Sequence, residues 1–170
     1  IKKIYFIGIK GVGMAALAIF AQSLGYLVSG SDTAEEFVTD KSLKEAGIEV
    51  FQFDPQNLKN KPDLVVVSAA YGQKHPEVKE ARKRRLEIKP SSEFLAELIS
   101  NFQVIAVGGI HGKTTVTALI SFLLTKANFD PSYIIGAGEV ASLGSAAHLG
   151  QGDYLVVEAD EYRKSLESSD

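Results

Sequence analysis

The sequence predicts an α/β fold in which the strands of parallel sheets alternate with helices. Short apolar segments such as residues 4–7 alternate with segments whose apolar residues recur at helical spacing. Residues 63–67 form a largely β-branched apolar run, which is typical of a strand buried on both faces of a parallel sheet. A strand, a glycine-rich loop and a helix also follow one another twice, around Gly11 and around Gly109.

The first hundred residues predict four strands, each followed by a helix or a turn. The strands are expected over residues 4–7, 26–28, 48–51 and 63–67, with residues 29–32 closing the second one. A helix from Met14 is expected to end at Gly25, and helices are also expected over 76–84 and 92–100. The helix that ends at Gly47 has two possible starts, because Thr33 and Glu36 have capping-box spacing and residues 39–40 offer equally good caps.

A second series of elements begins near residue 100, where we expect a boundary between a domain over 1–100 and a domain over 101–170. Strands are predicted over residues 104–107, 133–135 and 154–157. Between the first two of these strands, apolar residues at helical spacing predict an amphipathic helix, namely Val116, Leu119, Ile120, Leu123 and Ala127.

The composition is that of an ordinary globular protein. Of the 170 residues, 45% are hydrophobic and 23% are charged, which excludes global disorder and collagen-like structure. A net charge of −3 argues against broad electrostatic binding of nucleic acid or anionic membranes. The absence of Cys excludes disulfides, thiolate metal sites and Cys nucleophiles. The longest apolar run, residues 14–21, is shorter than the roughly 20 residues that span a bilayer, so we expect a cytoplasmic protein without a signal peptide or membrane insertion.

The first glycine loop fits the pattern G-x-G-x-x-G/A through Gly11, Gly13 and Ala16. It lies between a predicted strand and a predicted helix, where glycines let a diphosphate approach the main chain and the helix start presents N–H groups to the anion. Asp32 ends the next strand, 21 residues after Gly11, where an acidic side chain commonly binds a ribose. The alternative is a tight turn that binds nothing, with Asp32 as a helix cap.

The second glycine loop resembles a phosphate-binding P-loop, although Val107 stands where the full pattern has Gly. Lys113 is placed to contact the β- and γ-phosphates of a nucleotide, and the hydroxyl of Thr114 is placed to bind Mg²⁺. The alternative is a lysine that lies near a helix start by chance, which the helix dipole disfavours in the absence of an anion.

Carboxylates follow the apolar strand over 154–157. Glu158 comes first after that strand and is the best candidate for a metal ligand beside the P-loop, ahead of Asp160 and Glu161. The alternative is a solvated acidic turn. Taken together, the two loops predict a Rossmann-like parallel-sheet domain followed by the start of a P-loop ATPase-like α/β domain.

The motifs occur in the order in which they occur in Mur ligases, and the chain resembles that family over essentially its whole length. The resemblance is carried by residues 8–14 (Gly-Ile-Lys-Gly-Val-Gly-Met), 29–32 (Ser-Gly-Ser-Asp), 109–115 (Gly-Ile-His-Gly-Lys-Thr-Thr) and 158–161 (Glu-Ala-Asp-Glu). Residues 67–70 (Val-Ser-Ala-Ala) and 75–77 (His-Pro-Glu) are also similar. Because the family has a longer central domain and a third domain, we expect the chain to be part of a longer protein that is inactive without the remainder.

The resemblance implies an enzyme that uses ATP and Mg²⁺ to join L-alanine to UDP-N-acetylmuramate in peptidoglycan synthesis through an acyl phosphate. The residues implied to bind the UDP-sugar are Gly11, Val12, Gly13, Met14, Asp32, Ser68 and Ala69. Those implied to bind ATP are Gly109, Ile110, His111, Gly112, Lys113, Thr114 and Thr115. Lys113, Thr114 and Glu158 are the implied catalytic residues, and Thr114 and Glu158 the implied metal ligands.

Three other functions stay open from the sequence. Tyr162 after the acidic cluster is nearer to the family members that recycle a tripeptide onto UDP-N-acetylmuramate. An NAD-dependent oxidoreductase would account for Gly11, Gly13 and Asp32 but not for Lys113 and Thr114. The last alternative is a nucleotide-binding module without catalytic activity.

Overall fold

A computed structural model of the protein describes residues 2–159 and has the predicted α/β architecture, with two sheets. A short 3₁₀-helix spans Pro55–Asn60. The strands and α-helices of this part of the chain follow one another in the order β1 (Lys3–Ile7), α1 (Val12–Ser23), β2 (Leu27–Asp32), α2 (Asp40–Glu45), β3 (Glu49–Gln52), β4 (Leu64–Val67), α3 (Pro76–Lys83), β5 (Ile88–Pro90), α4 (Ser91–Leu98), β6 (Gln103–Val107), α5 (Lys113–Lys126), β7 (Ser132–Ile134), β8 (Ala147–His148) and β9 (Tyr154–Glu158).

The first sheet has the strand order β3-β2-β1-β4-β5, and all of its strand pairs are parallel. This is the order of a Rossmann-like sheet, in which successive strands run outward from β1 to one side and from β4 to the other. The loops that follow β1 and β4 therefore leave the same edge of the sheet in opposite directions and open a crevice between them. Every residue of β4 is buried, as the apolar run over 63–67 predicted.

The second sheet has the order β6-β9-β7-β8. Strands β6 and β7 both pair with β9 in parallel, whereas β8 pairs with β7 in the antiparallel sense. The carboxyl ends of β6, β7 and β9 consequently meet at one edge, so that the glycine loop after β6 lies beside the end of β9.

Helix α1 lies between the two sheets and packs on both. Its alanines and the side chains of Met14, Leu17 and Phe20 are buried in one apolar cluster with residues of β1 and β9. A helix that is apolar on all sides is expected to be covered on all sides, and the small alanine side chains let both sheets approach closely. The starts of α1 and of the second glycine loop are thereby held on the same side of the molecule.

Several local predictions were wrong. Residues 29–32 belong to β2 instead of closing it, because they pair with β1 and β3. The capping box at Thr33 does not form, and α2 begins at Asp40 after Thr39, which was the other predicted start. The 3₁₀-helix, β5 and β8 were not predicted, since each is too short to show a hydrophobic period.

Helix α5 was predicted correctly, but of its predicted apolar face only Ile120 packs on the apolar cluster of the second sheet among residues 2–159. Val116, Leu119 and Leu123 have exposed fractions of 43%, 53% and 55%, whereas Thr117 and Ser121 are buried against the second sheet. None of the helices over residues 2–159 has the length and hydropathy that a membrane crossing requires.

Candidate functional site

A cavity of about 500 Å³ opens between the two sheets, where the strands β1, β4, β6, β7 and β9 end. Crevices at the carboxyl ends of parallel strands are the usual ligand sites of open α/β sheets. Both glycine loops face this cavity, and so does Glu158 at the end of β9. The lining residues are Gly11, Val12, Gly13, Met14, Leu17, Ser68, Ala69, Ser91, Leu95, Ile110, His111, Gly112, Lys113, Thr114, Ile134, Gly136, Val157 and Glu158.

The helices α1 and α5 both begin at this cavity without a side-chain cap. Gly11 and Gly112 occupy their N-cap positions, where no side chain can accept a hydrogen bond from the first turn. The first N–H groups of a helix have no partner within the helix, and together with the helix dipole they favour an anion. The cavity therefore has two separate places suited to phosphate groups.

Gly11 leaves space that the protein itself does not need. Its φ of −57° and ψ of 140° suit any residue, and a Cβ at this position would be no closer than 3.8 Å to another atom. Neither backbone conformation nor internal packing requires a glycine here. The missing side chain instead leaves the main chain of the first loop open to a ligand in the cavity.

The second loop folds around the ammonium group of Lys113, which donates a 3.0 Å hydrogen bond to the carbonyl oxygen of Gly109. Gly112 has a φ of 79°, a left-handed conformation that costs energy for residues with a Cβ. This turn places a positive charge at the centre of the loop and at the start of α5. Ile110 is 90% exposed, so its side chain contributes little to the packing of the loop.

Glu158 bridges the second loop and the segment that follows β7. One carboxylate oxygen, Oε2, accepts a 3.2 Å hydrogen bond from the hydroxyl of Thr114, and the other, Oε1, accepts a 2.8 Å hydrogen bond from the N–H of Gly136. The side chain is 8% exposed. The two predicted metal ligands are therefore in contact with each other.

No group of three or more His, Asp or Glu side chains over residues 2–159 is arranged to hold a metal ion. Thr114 and Glu158 offer one hydroxyl and one carboxylate. Such a sparse set of oxygen ligands suits Mg²⁺, which keeps several waters and commonly binds through one or two protein groups together with phosphates of a nucleotide. Asp160, Glu161 and Tyr162, which the sequence analysis also considered, lie outside the described residues.

Most of the predicted site residues line the cavity, but three do not. Gly109 and Thr115 belong to the second loop but are not among the residues that line the cavity. Asp32 is 2% exposed, and its carboxylate accepts hydrogen bonds from the main-chain N–H groups of Lys10 at 2.7 Å and Thr33 at 2.8 Å. Asp32 therefore holds the first loop from behind, and the predicted contact with a ribose stays a prediction.

Six lining residues were not predicted as site residues, namely Leu17, Ser91, Leu95, Ile134, Gly136 and Val157. Ser91 and Leu95 reach the cavity from α4, and Gly136 reaches it from the segment after β7. Recognition of β5 would have identified Ser91, because this residue directly follows the carboxyl end of that strand. Gly136 stands in no motif, and only its spatial relation to Glu158 marks it.

A buried carboxylate joins α3 to β1, to β2 and to the segment over residues 54–57. Glu77 Oε1 accepts hydrogen bonds of 3.1 Å from the Tyr5 hydroxyl, the Asp54 N–H and the Asn57 amide, and its Oε2 accepts one from the Ser31 hydroxyl. Burial is the main cause that raises the pKa of Tyr5 well above its usual range, and the neighbouring Glu77 adds to it. The carbonyl of Ser31 in turn accepts the N–H groups that begin the loop after β1.

Comparison with known proteins agrees with this arrangement. The model of the Mur ligase family, catalytic domain, matches residues 3–103, which is more than half of the chain. The chain belongs to the Mur ligase family. The resemblance inferred from the motifs is thereby confirmed.

Among its Mur ligase relatives, the UDP-N-acetylmuramate–L-alanine ligase of Desulfitobacterium hafniense (strain Y51) is 44% identical over 162 residues, which are 95% of this chain and 36% of the relative. The enzyme of the same name from Thiobacillus denitrificans is 46% identical over 95% of this chain and 34% of its own length. The chain thus spans about a third of the length of the curated relatives that it matches.

A solved Mur ligase structure has the same fold. It is the UDP-N-acetylmuramate:L-alanyl-gamma-D-glutamyl-meso-diaminopimelate ligase from Neisseria meningitides, with a TM-score of 0.88 and 29% identity over 95% of this chain and 53% of that chain. The likeness extends over 95% of this chain and therefore includes both sheets.

Proposed function

We propose that this chain supplies the UDP-sugar site and the ATP phosphate site of an ATP-dependent ligase that joins L-alanine to UDP-N-acetylmuramate. The observation that carries the proposal is the shared cavity, in which the uncapped starts of α1 and α5 face one space beside Glu158. A transfer of phosphate between two anionic substrates requires such a juxtaposition. ATP and UDP-sugars are cytoplasmic substrates, so the proposed location is the cytoplasm.

The first loop is proposed to bind the diphosphate of the UDP-sugar. The open space at Gly11 and the N–H groups at the start of α1 support this role. Val12, Gly13 and Met14 continue the same cavity wall, and Ser68 and Ala69 face them from the end of β4, where they would contact the sugar or the uridine.

The second loop is proposed to bind the β- and γ-phosphates of ATP. The ammonium of Lys113 lies at the centre of the loop, where it would offset the negative charge that builds up as the phosphate is transferred. Thr114 and Glu158 would hold Mg²⁺, which neutralises phosphate charge and orients the γ-phosphate when it is bound. The hydroxyl and the carboxylate are already in contact, and the fit therefore needs no large rearrangement of either side chain.

The proposed reaction has two steps. A carboxylate oxygen of the muramoyl group attacks the γ-phosphorus, so that ADP leaves and an acyl phosphate forms. The amine of the amino acid then attacks the acyl carbon, and inorganic phosphate leaves with the bonding electrons. The residues of this chain would serve the first step, because both loops face one cavity and Lys113 would offset the repulsion between two anions bound there.

L-Alanine is the proposed amine because the relatives with 44% and 46% identity are named as L-alanine ligases. A tripeptide is the second candidate, since the Neisseria enzyme with the TM-score of 0.88 is named as a ligase of L-alanyl-gamma-D-glutamyl-meso-diaminopimelate. Assays of the full-length natural protein with each amine would separate the two.

Ligand binding tests the proposal against an oxidoreductase. Calorimetric titrations of the chain with UDP-N-acetylmuramate, Mg²⁺-ATP and NAD should give binding of the first two ligands and none of the third. Binding of NAD without binding of the UDP-sugar would overturn the proposal in favour of the oxidoreductase.

A further inference from the structure

We propose that Gly136 is a positioning residue that holds the carboxylate of Glu158 in the orientation required for the metal, an inference that rests on the proposed function. No sequence motif includes Gly136. Its N–H donates a 2.8 Å hydrogen bond to Glu158 Oε1, and this leaves Oε2 directed toward the hydroxyl of Thr114 at 3.2 Å. One oxygen is thereby held by the main chain while the other is presented to the metal site.

The register of the second sheet explains this contact. Strands β7 and β9 are parallel, with Ile134 paired to Val157, so that Glu158 emerges beside the segment that follows β7. A main-chain N–H has no side-chain rotamers of its own, so the position of this donor is fixed by the backbone. Outer contacts of this kind orient metal ligands, and their loss typically weakens metal binding.

The absence of a side chain at position 136 is as important as its N–H. A Cβ at Gly136 would lie 3.2 Å from Glu158 Oε2 and 3.3 Å from Oε1, and the three nearest atoms all belong to this carboxyl group. Its backbone does not adopt the left-handed conformation that glycine alone tolerates well. Alanine at this position would therefore act mainly by displacing the Glu158 carboxylate by a few tenths of an ångström, which disturbs the geometry of its two hydrogen bonds.

Gly138 provides a matched control. Alanine there would meet a comparably close neighbour, since a Cβ at Gly138 would lie 3.1 Å from atoms of Val38, but this contact is remote from Glu158. The two substitutions add the same methyl group to the same loop. Only Gly136→Ala is expected to affect the metal site.

The test measures the affinity for Mn²⁺ in the presence of a non-hydrolysable ATP analogue by electron paramagnetic resonance, with the parent chain and both variants. We expect Gly136→Ala to weaken Mn²⁺ binding by roughly tenfold to a hundredfold. Gly138→Ala should bind Mn²⁺ as tightly as the parent does. Both variants should keep the parent's affinity for UDP-N-acetylmuramate. Equal Mn²⁺ binding by Gly136→Ala and the parent would overturn the inference but leave the proposed function intact. Absence of Mn²⁺–nucleotide binding in the parent itself would overturn both.

A double substitution separates positioning from a general loss of stability. In the background Glu158→Asp the carboxylate is withdrawn by one methylene, so the added methyl at position 136 no longer meets it. We expect Gly136→Ala to lower Mn²⁺ affinity in the parent and to have no further effect in the Glu158→Asp background. An equal effect in both backgrounds, or a fall in the unfolding temperature that accounts for the loss, would show that Gly136 has only a structural role.

Discussion

The carboxylate of Asp32 and the main-chain N–H of Lys10 are joined by a hydrogen bond of 2.7 Å, which ties the end of β2 to the first glycine loop. The second carboxylate oxygen accepts the N–H of Thr33, and the Lys10 carbonyl accepts the hydroxyl of Thr39. The loop is thus held from behind by the segment between β2 and α2. An acidic residue at the expected distance from a glycine loop serves here as a support for that loop.

The role of Asp32 can be tested with a ligand that lacks one hydroxyl. If Asp32 only supports the loop, Asp32→Asn should weaken the binding of UDP and of 2′-deoxy-UDP by the same factor. In the variant an amide N–H₂ group replaces one acceptor oxygen and leaves a main-chain N–H unpaired. This should lower the stability of the protein by about 1–3 kcal/mol. Calorimetric titration of both ligands measures this. A loss confined to UDP would instead demonstrate a direct contact between Asp32 and the ribose.

Gly11 should tolerate a side chain in the free protein but not in the complex. Because a Cβ there has no neighbour closer than 3.8 Å, we expect Gly11→Val to leave the unfolding temperature nearly unchanged. The same side chain should weaken binding of UDP-N-acetylmuramate by about tenfold or more, which is a loss of about 1.4 kcal/mol or more in binding free energy. Gly108→Val is the control, since that glycine is equally open and does not line the cavity. Unchanged UDP-sugar binding by Gly11→Val would contradict the assignment of the first loop.

Substitutions of the lysines at the two ends of α5 should have different effects on stability and on ATP binding. Lys113 lies at the start of the helix, where its charge interacts unfavourably with the helix dipole. Lys113→Ala removes this interaction, which should stabilise the protein by about 0.3–1 kcal/mol. The loss of the hydrogen bond to the Gly109 carbonyl offsets this gain. We expect little change in unfolding temperature and a loss of about 2 kcal/mol or more in Mg²⁺-ATP binding. Lys126→Ala in the last turn should lower stability slightly and leave ATP binding intact. Thermal-shift curves with and without Mg²⁺-ATP compare the two, and an equal shift in the parent and Lys113→Ala would exclude Lys113 as a phosphate ligand.

The buried carboxylate of Glu77 should tolerate an amide better than a deletion. An amide nitrogen can replace Oε2, because the Ser31 hydroxyl can turn to accept from it, while the amide oxygen keeps the three donors on Oε1. We expect Glu77→Gln to cost about 1 kcal/mol and Glu77→Ala about 3 kcal/mol or more, since the latter leaves buried donors unpaired. Urea unfolding at neutral pH measures both values. Equal losses would mean that the hydrogen bonds contribute little and that packing dominates.

The raised pKa of Tyr5 predicts a loss of stability in alkaline solution. Burial first, and then the neighbouring Glu77 carboxylate, disfavour the phenolate in the folded protein. The unfolded chain releases this proton near pH 10. The folded state therefore binds more protons above that pH, and the free energy of unfolding should fall as the pH rises from about 10. Tyr5→Phe should have a shallower decline over the same range, and parallel curves for parent and variant would contradict this origin.

The sequence predicted the parts of the fold and site that depend on local patterns. Gly11, Gly13, Lys113 and Thr114 stand in motifs whose spacing reflects phosphate geometry, and the longer strands show a clear hydrophobic pattern. The structure then brought Thr114 and Glu158 together, although they are 44 residues apart in the chain. Parallel pairing of β6 with β9 causes this proximity.

Other features depend on tertiary relationships that no local pattern contains. Gly136 matters because Glu158 lies beside it, and the contact arises from the register of β7 and β9. The spacing of Val116, Leu119 and Leu123 reveals an apolar side of α5 but not whether that side is covered, and these residues are exposed over residues 2–159.

The central claim is that both glycine loops serve one cavity, and paramagnetic relaxation tests it most directly. The chain is saturated with UDP-N-acetylmuramate and with a non-hydrolysable ATP analogue, and the ³¹P relaxation of the UDP diphosphate is recorded with Mg²⁺ and then with Mn²⁺. We predict strong relaxation of the diphosphate by Mn²⁺ in the parent and weaker relaxation in Glu158→Gln at the same metal concentration, because the nucleotide phosphates still bind part of the metal. Binding of both ligands without any relaxation of the diphosphate by Mn²⁺ would contradict the claim, because it would place the two ligands in separate sites.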